Sequence, residues 1–203
     1  MTAVVFVDVQ NDFTLTTGAL PYKYPEEPNH PKIVEFANEC RTRGYQLYAT
    51  ADTHQKLTYA NSLEGKNLPI EHCIEETDGH KLINGLVKTK DRYVNIPQCN
   101  IVDKCTFGSL TLLDRIYYDF TGLSSIGEPL ERILICGYCT SICVISNALM
   151  LRAKFPNTQI VCMPDLCGDI DEASHHAAIK VMQNCMISIK SADCALGVPQ
   201  DAA

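Results

Sequence analysis

The feature that most limits what this chain can fold into is a repeated alternation of short, nearly unbroken apolar runs with longer stretches of helical periodicity. "AVVFVDVQ" (3–10), "YQLYATAD" (45–52), "ERILICG" (131–137) and "TQIVCMPD" (158–165) read as strands, with Asp8, Asp52 and Asp165 at or near three of their ends. Apolar runs of this kind belong to strands buried on both faces, as in parallel sheets. "HPKIVEFANECRTRG" (30–44) puts Ile33, Val34, Ala37 and Cys40 on one stripe before a stop at Gly44, which reads as a helix. Further helices are expected over about 109–120, 141–154 and 171–184. "RYVNIPQ" and "CNIVDK" (92–104) read as short extended pieces around Pro97, and "CMISIKSA" (185–192) as a closing strand. Strands and helices at this spacing imply right-handed βαβ crossovers, hence an α/β fold with a mainly parallel sheet covered on both faces.

Length and composition narrow the classes. With 203 residues, 46% of them hydrophobic, the chain suffices for one well-buried domain over 1–203 and is short for two. A net charge of -7 without a Lys/Arg stripe excludes nucleic acid and anionic membrane surfaces as expected partners. No apolar run approaches the roughly 20 residues that cross a bilayer. "MTAVVFVDVQ" has no basic leader and breaks its apolar run at Asp8, so it does not read as a signal peptide. The eleven cysteines are odd in number and sit largely inside apolar runs (Cys40, Cys136, Cys162, Cys185). They read as free buried thiols of a reduced, cytoplasmic protein rather than as a disulfide scaffold. The stretch 53–84 is long, irregular and too polar for core, the mark of a functional loop.

In open α/β sheets, ligands bind beyond the carboxyl ends of the strands. Asp8, Asp52, Lys104 and the "GYCTSIC" turn all fall at strand-to-helix junctions, so the fold should bring them together. Cys143 lies just beyond a helix N-cap at Thr140 or Ser141, where the macrodipole favours an anion and backbone N–H groups are unpaired. Those N–H groups can form an oxyanion hole. Asp8 can take the thiol proton and pass it to a leaving amine, and Lys104 can hold Asp8 ionised and support the thiolate. The set suits attack on an amide carbonyl. Each residue also has a plainer reading: a surface acid, a solvent-facing lysine, a buried cysteine filling core.

A second constellation lies in the loop. Asp52 and His54 of "ADTHQ" can converge on one ion, and Glu64 and His72 of "SLEGKNLPIEHC" can fold back to join them. Carboxylates and imidazoles together suit a borderline divalent cation: Zn²⁺, Mn²⁺ or Fe²⁺. Four such residues scattered along a loop are also common without a metal. His175-His176 opens a helix and reads as surface or packing. A redox role for the thiols is not expected.

Three separated segments, "VVFVDVQNDF", "VDKCTFGS" and "ICGYCTSICV", resemble in order and spacing the nicotinamidase/isochorismatase-like family of cysteine hydrolases, over roughly Val4 to Ile189. The resemblance implies a three-layer α/β/α fold and a triad of Asp8, Lys104 and Cys143. It also implies a cis peptide at Tyr138–Cys139, which aims the N–H groups of Cys139 and Cys143 at the oxyanion. Retention of Cys143 favours the nicotinamidase branch over isochorismatases, which lack the nucleophile. That branch carries one metal, zinc first with manganese or iron as alternatives, matched here by Asp52, His54 and His72, with Glu64 standing in for a further histidine. Its aromatic substrate pocket maps onto Phe13, with Leu20, Phe107 and Tyr138 as possible replacements where Pro69 takes the place of a second aromatic. Ser141 stands where the family often has Asp. The expected reaction is nicotinamide to nicotinate plus ammonia through a thioester, in a homo-oligomer. A carbamoyl-type or other small aliphatic amidase is the alternative, and a catalytically silent binding domain the more distant one.

Overall fold

A computed structural model describes residues 1–86, 99–121 and 129–198. The extended piece expected at 92–98 lies outside the described residues. Among the described residues, six strands form one sheet: β1 (Thr2–Val7), β2 (Gln46–Asp52), β3 (Asn100–Lys104), β4 (Arg132–Tyr138), β5 (Gln159–Gly168) and β6 (Ser188–Ile189). Their order is β3-β2-β1-β4-β5-β6 and every neighbouring pair is parallel. The helices are α1 (Asn11–Thr14), α2 (His30–Thr42), α3 (Lys56–Tyr59), α4 (Leu63–Asn67), α5 (Leu110–Thr121), α6 (Ile145–Lys154), α7 (Glu172–Asn184) and α8 (Ala192–Leu196). Thr140–Val144 forms one π-helical turn that runs into α6.

Every residue of β1 is buried, which a strand tolerates only when both sheet faces are covered. Helices α5, α6 and α7 pack side by side on one face. α2 and α8 meet on the other, where Arg43 donates to the Leu196 carbonyl at 2.7 Å. The three-layer α/β/α architecture is therefore present. β3, an edge strand, alternates exposed Ile101 and Asp103 with buried Val102 and Lys104. α2 stops before Gly44, whose φ of +72° continues the chain in the left-handed region.

From β1 the chain steps outward to β2 and β3, then returns to place β4 on β1's other side. That reversal opens the crevice where ligands bind in doubly wound sheets. Gly137 of β4 lies on this seam, paired with Val7. Its φ is +127°, and a Cβ there would stand 2.1 Å from the Val7 carbonyl oxygen, so only glycine lets the strands close.

Three expectations need correction. β5 continues past residue 165 to Gly168: between the pairs Ile135↔Cys162 and Gly137↔Cys167 it bulges, and Pro164 sits in the bulge where no ladder N–H is needed. β6 is only Ser188–Ile189, because Cys185 and Met186 still close the end of α7. The 53–84 stretch is not excluded from the core: Tyr59, Cys73 and Ile83 are buried, and α3 and α4 lie within it.

Candidate active site

β1 delivers Asp8 to the seam as a wholly buried residue with φ +49°. Asp tolerates this left-handed conformation better than most residues, and such outliers concentrate at functional sites. Thr50 of β2 holds it twice over. The Asp8 N–H reaches Thr50 Oγ1 at 3.1 Å, and the Thr50 hydroxyl donates to Asp8 Oδ1 at 2.6 Å. Lys104, from the end of β3, lies 2.7 Å from Asp8 Oδ2, 3.3 Å from Asp52 Oδ1 and 3.6 Å from Cys143 Sγ. Asp8 Oδ2, wholly buried, is paired with the Lys104 ammonium at 2.7 Å.

Charge follows from this packing. Burial works against the Lys104 ammonium, but Asp8, the Cys143 sulfur and Asp52 outweigh it and the lysine stays charged. Burial raises Asp8 above its usual range, Lys104 pulls it back and Asp52 pushes it further up, for a net rise. Burial likewise holds the Cys143 thiol well above its ordinary value, with Asp8 adding to it and Lys104 opposing.

Cys143 sits in the π turn rather than in the first turn of a regular α-helix, and π turns recur at functional sites. Cys139 is the residue before that turn, and the Tyr138–Cys139 peptide is cis, as the resemblance implies. The Cys139 thiol is pushed up to about 12, chiefly by burial with Asp169 adding to it. Cys136-Gly137-Tyr138-Cys139 does have C-x-x-C spacing, a point against the expectation of no redox pair. Cys136, however, is sealed inside β4 and all eleven cysteines are free. Cys162 and Cys167 are also fully buried, on either side of the β5 bulge.

The loop residues converge as expected. Asp52, His54, Glu64 and His72 each offer a donor atom, all within 4.8 Å of one another. His54 Nε2 lies 3.0 Å from Asp52 Oδ2 and 3.7 Å from Glu64 Oε2; His72 Nε2 lies 3.3 Å from Asp52 Oδ2 and 3.4 Å from Glu64 Oε1. A tetrahedral ion with bonds near 2.0–2.2 Å spaces its donors about 3.3–3.6 Å apart, so the group fits a divalent cation. His72 Nδ1 donates to the Ile70 carbonyl at 2.9 Å and has the Tyr59 hydroxyl at 3.3 Å, which turns Nε2 inward as a lone-pair donor. Burial alone would lower His72, but its hydrogen bonds to Asp52 and Glu64 push it up to about 10. Asp52 is pushed upward by burial, yet His54, His72 and Lys104 hold it far below the carboxylate range.

A cavity of about 970 Å³ opens beside His54 and Glu64, lined by Tyr59, Leu63, Leu68 and Phe107 among others. Of the expected pocket residues, Phe107 lines this cavity and is half exposed. Phe13 packs its ring against His72 with centroids 5.6 Å apart. Leu20 packs against the core and is not part of the cavity wall. Tyr138 is a correction: its side chain is fully buried, stacks on Tyr22 at 4.8 Å and donates to Asn29, so it presents no surface to a ligand.

Several residues at the site went unread in the sequence. Gln10 ties the two constellations together, accepting from Asp52 N–H at 2.7 Å and donating to its carbonyl at 2.8 Å. Asn147 donates to the Cys143 carbonyl at 2.8 Å and to that of Phe107 at 3.1 Å. Asp169 receives Ser141 N–H and Oγ–H, so a carboxylate reaches position 141 from the end of β5. Gln10 lies within "VVFVDVQNDF" and could have been flagged there; the other two carry no local signal.

Fold and site together define a class: a doubly wound α/β protein with a thiol at the switch point of its sheet and a cluster of carboxylates and imidazoles that could hold a cation beside it. A family model described as Isochorismatase domain matches residues 2–193, so the chain belongs to the isochorismatase family and is a hydrolase of that family. Solved structures share the fold over nearly the whole chain. The pyrazinamidase of Pyrococcus horikoshii in complex with zinc is 22% identical, with a TM-score of 0.73, covering 94% of this chain and 98% of that one. The nicotinamidase/pyrazinamidase of Bacillus subtilis is 19% identical at TM-score 0.75, covering 94% and 99%. An isochorismatase family protein of Desulfovibrio vulgaris is 17% identical at TM-score 0.76, covering 97% of each chain. At these identities the likeness is one of fold. No curated protein sequence matches at a significant level. Among the described residues, no helix is long and apolar enough to cross a membrane.

Proposed function

We propose that the protein is a cysteine amidohydrolase acting on a small amide, with nicotinamide, giving nicotinate and ammonia, as the first candidate. The observation that carries this reading is Lys104 at 2.7 Å from Asp8 and 3.6 Å from Cys143, three side chains from three strand ends in one buried cluster. The Asp8 carboxylate takes the thiol proton as Sγ attacks the carbonyl carbon. Charge that develops on the carbonyl oxygen is met by the backbone N–H groups of Cys139 and Cys143. Protonated Asp8 gives its proton to the leaving nitrogen, ammonia departs and a thioester remains. Asp8 then draws a proton from water as the water attacks the thioester, and returns it to the sulfur. Lys104 stays charged throughout and keeps Asp8 returning to its anion.

Asp52, His54, Glu64 and His72 would hold a divalent cation, zinc first, with manganese and iron suiting the same donors. When bound it supplies an electron-pair acceptor beside the cavity, which suits the ring nitrogen of a pyridine amide. The printed description of the Pyrococcus neighbour, a pyrazinamidase with zinc, supports the same reading. Residues 53–84 are then the metal and substrate loop of one domain spanning 1–203. A cytoplasmic homo-oligomer completes the proposal; Leu57, a large exposed apolar side chain within that loop, supports self-association. Ammonia release from nicotinamide by metal-loaded protein tests the reading, with metal content and oligomeric state measured on the same sample. A carbamoyl-type or other aliphatic amidase is the second reading, favoured by the inward Tyr138 and by Pro69, which leave fewer aromatic faces for a ring.

A further inference from the structure

The turn that carries Cys143 is gripped from outside the site. Asp169, completely buried just beyond β5, accepts Ser141 N–H on Oδ2 at 2.7 Å. Its Oδ1 accepts the Ser141 hydroxyl at 2.9 Å and its neighbour's Ile170 N–H at 2.8 Å. The carboxylate cannot retreat, because the Asp169 backbone is pinned as well. Its N–H donates to the Tyr24 carbonyl at 2.8 Å, and its carbonyl accepts from Lys23 and Tyr24 at 2.8 and 3.0 Å. The preceding residue of the turn is held too. His175, 4% exposed, sets Nδ1 2.9 Å from Thr140 Oγ1, whose hydroxyl reaches the Gly168 carbonyl at 3.2 Å. With the hydroxyl proton on Gly168, the His175 Nδ1–H donates to Oγ1.

We propose that Asp169, backed by His175, is a positioning residue for the Cys143 thiol: by fixing Thr140 and Ser141 it sets where Sγ stands relative to Lys104 and Asp8. Asp169 touches neither Cys143 nor the cation cluster by any hydrogen bond or ion pair among the described residues, so its effect passes through the turn. A misplacement of about 1 Å can cost on the order of a hundredfold in rate, which makes such a grip consequential. The inference rests on Cys143 being the nucleophile, and two rival accounts of Asp169 remain to be separated from it. A buried carboxylate could serve stability alone, or it could act on the thiol by its charge.

The test compares the wild type with Asp169→Ala and Asp169→Asn. Asn keeps the acceptor for Ser141 N–H and can donate to Ser141 Oγ, so it restores two of the three hydrogen bonds without the charge. Positioning predicts that Asp169→Ala lowers kcat about tenfold or more with KM little changed, and that Asp169→Asn recovers most of it. Alkylation of Cys143 at neutral pH, followed by peptide mapping, gives a readout that needs no substrate. Moving Sγ away from Lys104 disfavours the thiolate, so alkylation slows in Asp169→Ala and stays at the wild-type rate in Asp169→Asn. A charge effect predicts the reverse, faster alkylation in both variants, and would overturn the proposal. Normal kcat with only a lowered melting temperature in Asp169→Ala would overturn it equally. If Asp169→Ala does not fold, Asp169→Ser, which keeps fewer acceptors than Asn, takes its place with the same expectations. A wild type that hydrolyses no amide would be a failure of the functional reading, and the alkylation rates would still decide the positioning claim.

Discussion

At the scale of single residues, the account rests on Asp8, Lys104 and Cys143 acting as one unit. Replacing Cys143 by Ala should abolish ammonia release, whereas Cys136→Ala and Cys162→Ala, both in the sheet interior, should leave turnover largely intact. The pH profile follows from the direction of the Asp8 shift. The base must be ionised to accept the thiol proton, and burial raises it, so activity should fall as pH drops through a value above the ordinary 3.8 of an aspartate. An acid limb of kcat/KM at or below 3.8 would contradict that environment. Phe13 and His54 separate ring stacking from cation binding. Stacking is worth about 0.5–1.5 kcal/mol beyond burial, so Phe13→Ala should raise KM by about two- to tenfold, a smaller loss than from His54→Ala. The reading of Asp8, Lys104 and Cys143 as a triad came from the family resemblance, but that they come together was legible in the sequence because each falls at or just beyond a strand end. Tyr138 was not, since its direction is set by strand parity: it shares a face with Cys136, and that face is covered.

At the scale of elements, the seam between β1 and β4 and the loop after β2 do the positioning. Gly137→Ala should destabilise the fold by about 1–3 kcal/mol or more, read as a drop in melting temperature, because its Cβ meets the Val7 carbonyl oxygen and the φ is hostile to a side chain. In the loop, Tyr59 backs His72 from outside the donor set. Tyr59→Phe removes that hydroxyl, and loss of such outer partners typically costs 10–100-fold in metal affinity. Metal titration of the variant checks this; unchanged affinity would mean that the Ile70 carbonyl alone orients the ring. The strands and long helices could be read from periodicity, which buried parallel strands display plainly. The β5 bulge and the π turn could not, because both are settled by pairing with distant segments rather than by local preference. The same holds for the buried part of the 53–84 loop, where Cys73 is held by its N–H donating to Asp12 Oδ2 at 2.7 Å.

At the scale of the whole molecule, the topology explains why residues so far apart in sequence share one site. Reversal of strand order between β1 and β4 places Asp8 and the Cys143 turn on opposite lips of one crevice, and β2 and β3 add Asp52 and Lys104 from one side. Asp52 joins the two clusters: it lies 3.3 Å from Lys104 and 3.0 Å from His54. Cation removal should therefore be felt twice, as lost turnover and as a lower melting temperature restored by adding the metal back. A chelator-treated protein with unchanged melting and turnover would separate the two constellations. The central claim, a thiol amidase with its nucleophile at the switch point, is tested most directly by measuring ammonia release from nicotinamide by the wild type and by Cys143→Ala side by side. The account predicts steady turnover in the wild type and none above background in the variant. Equal turnover in both proteins would contradict it.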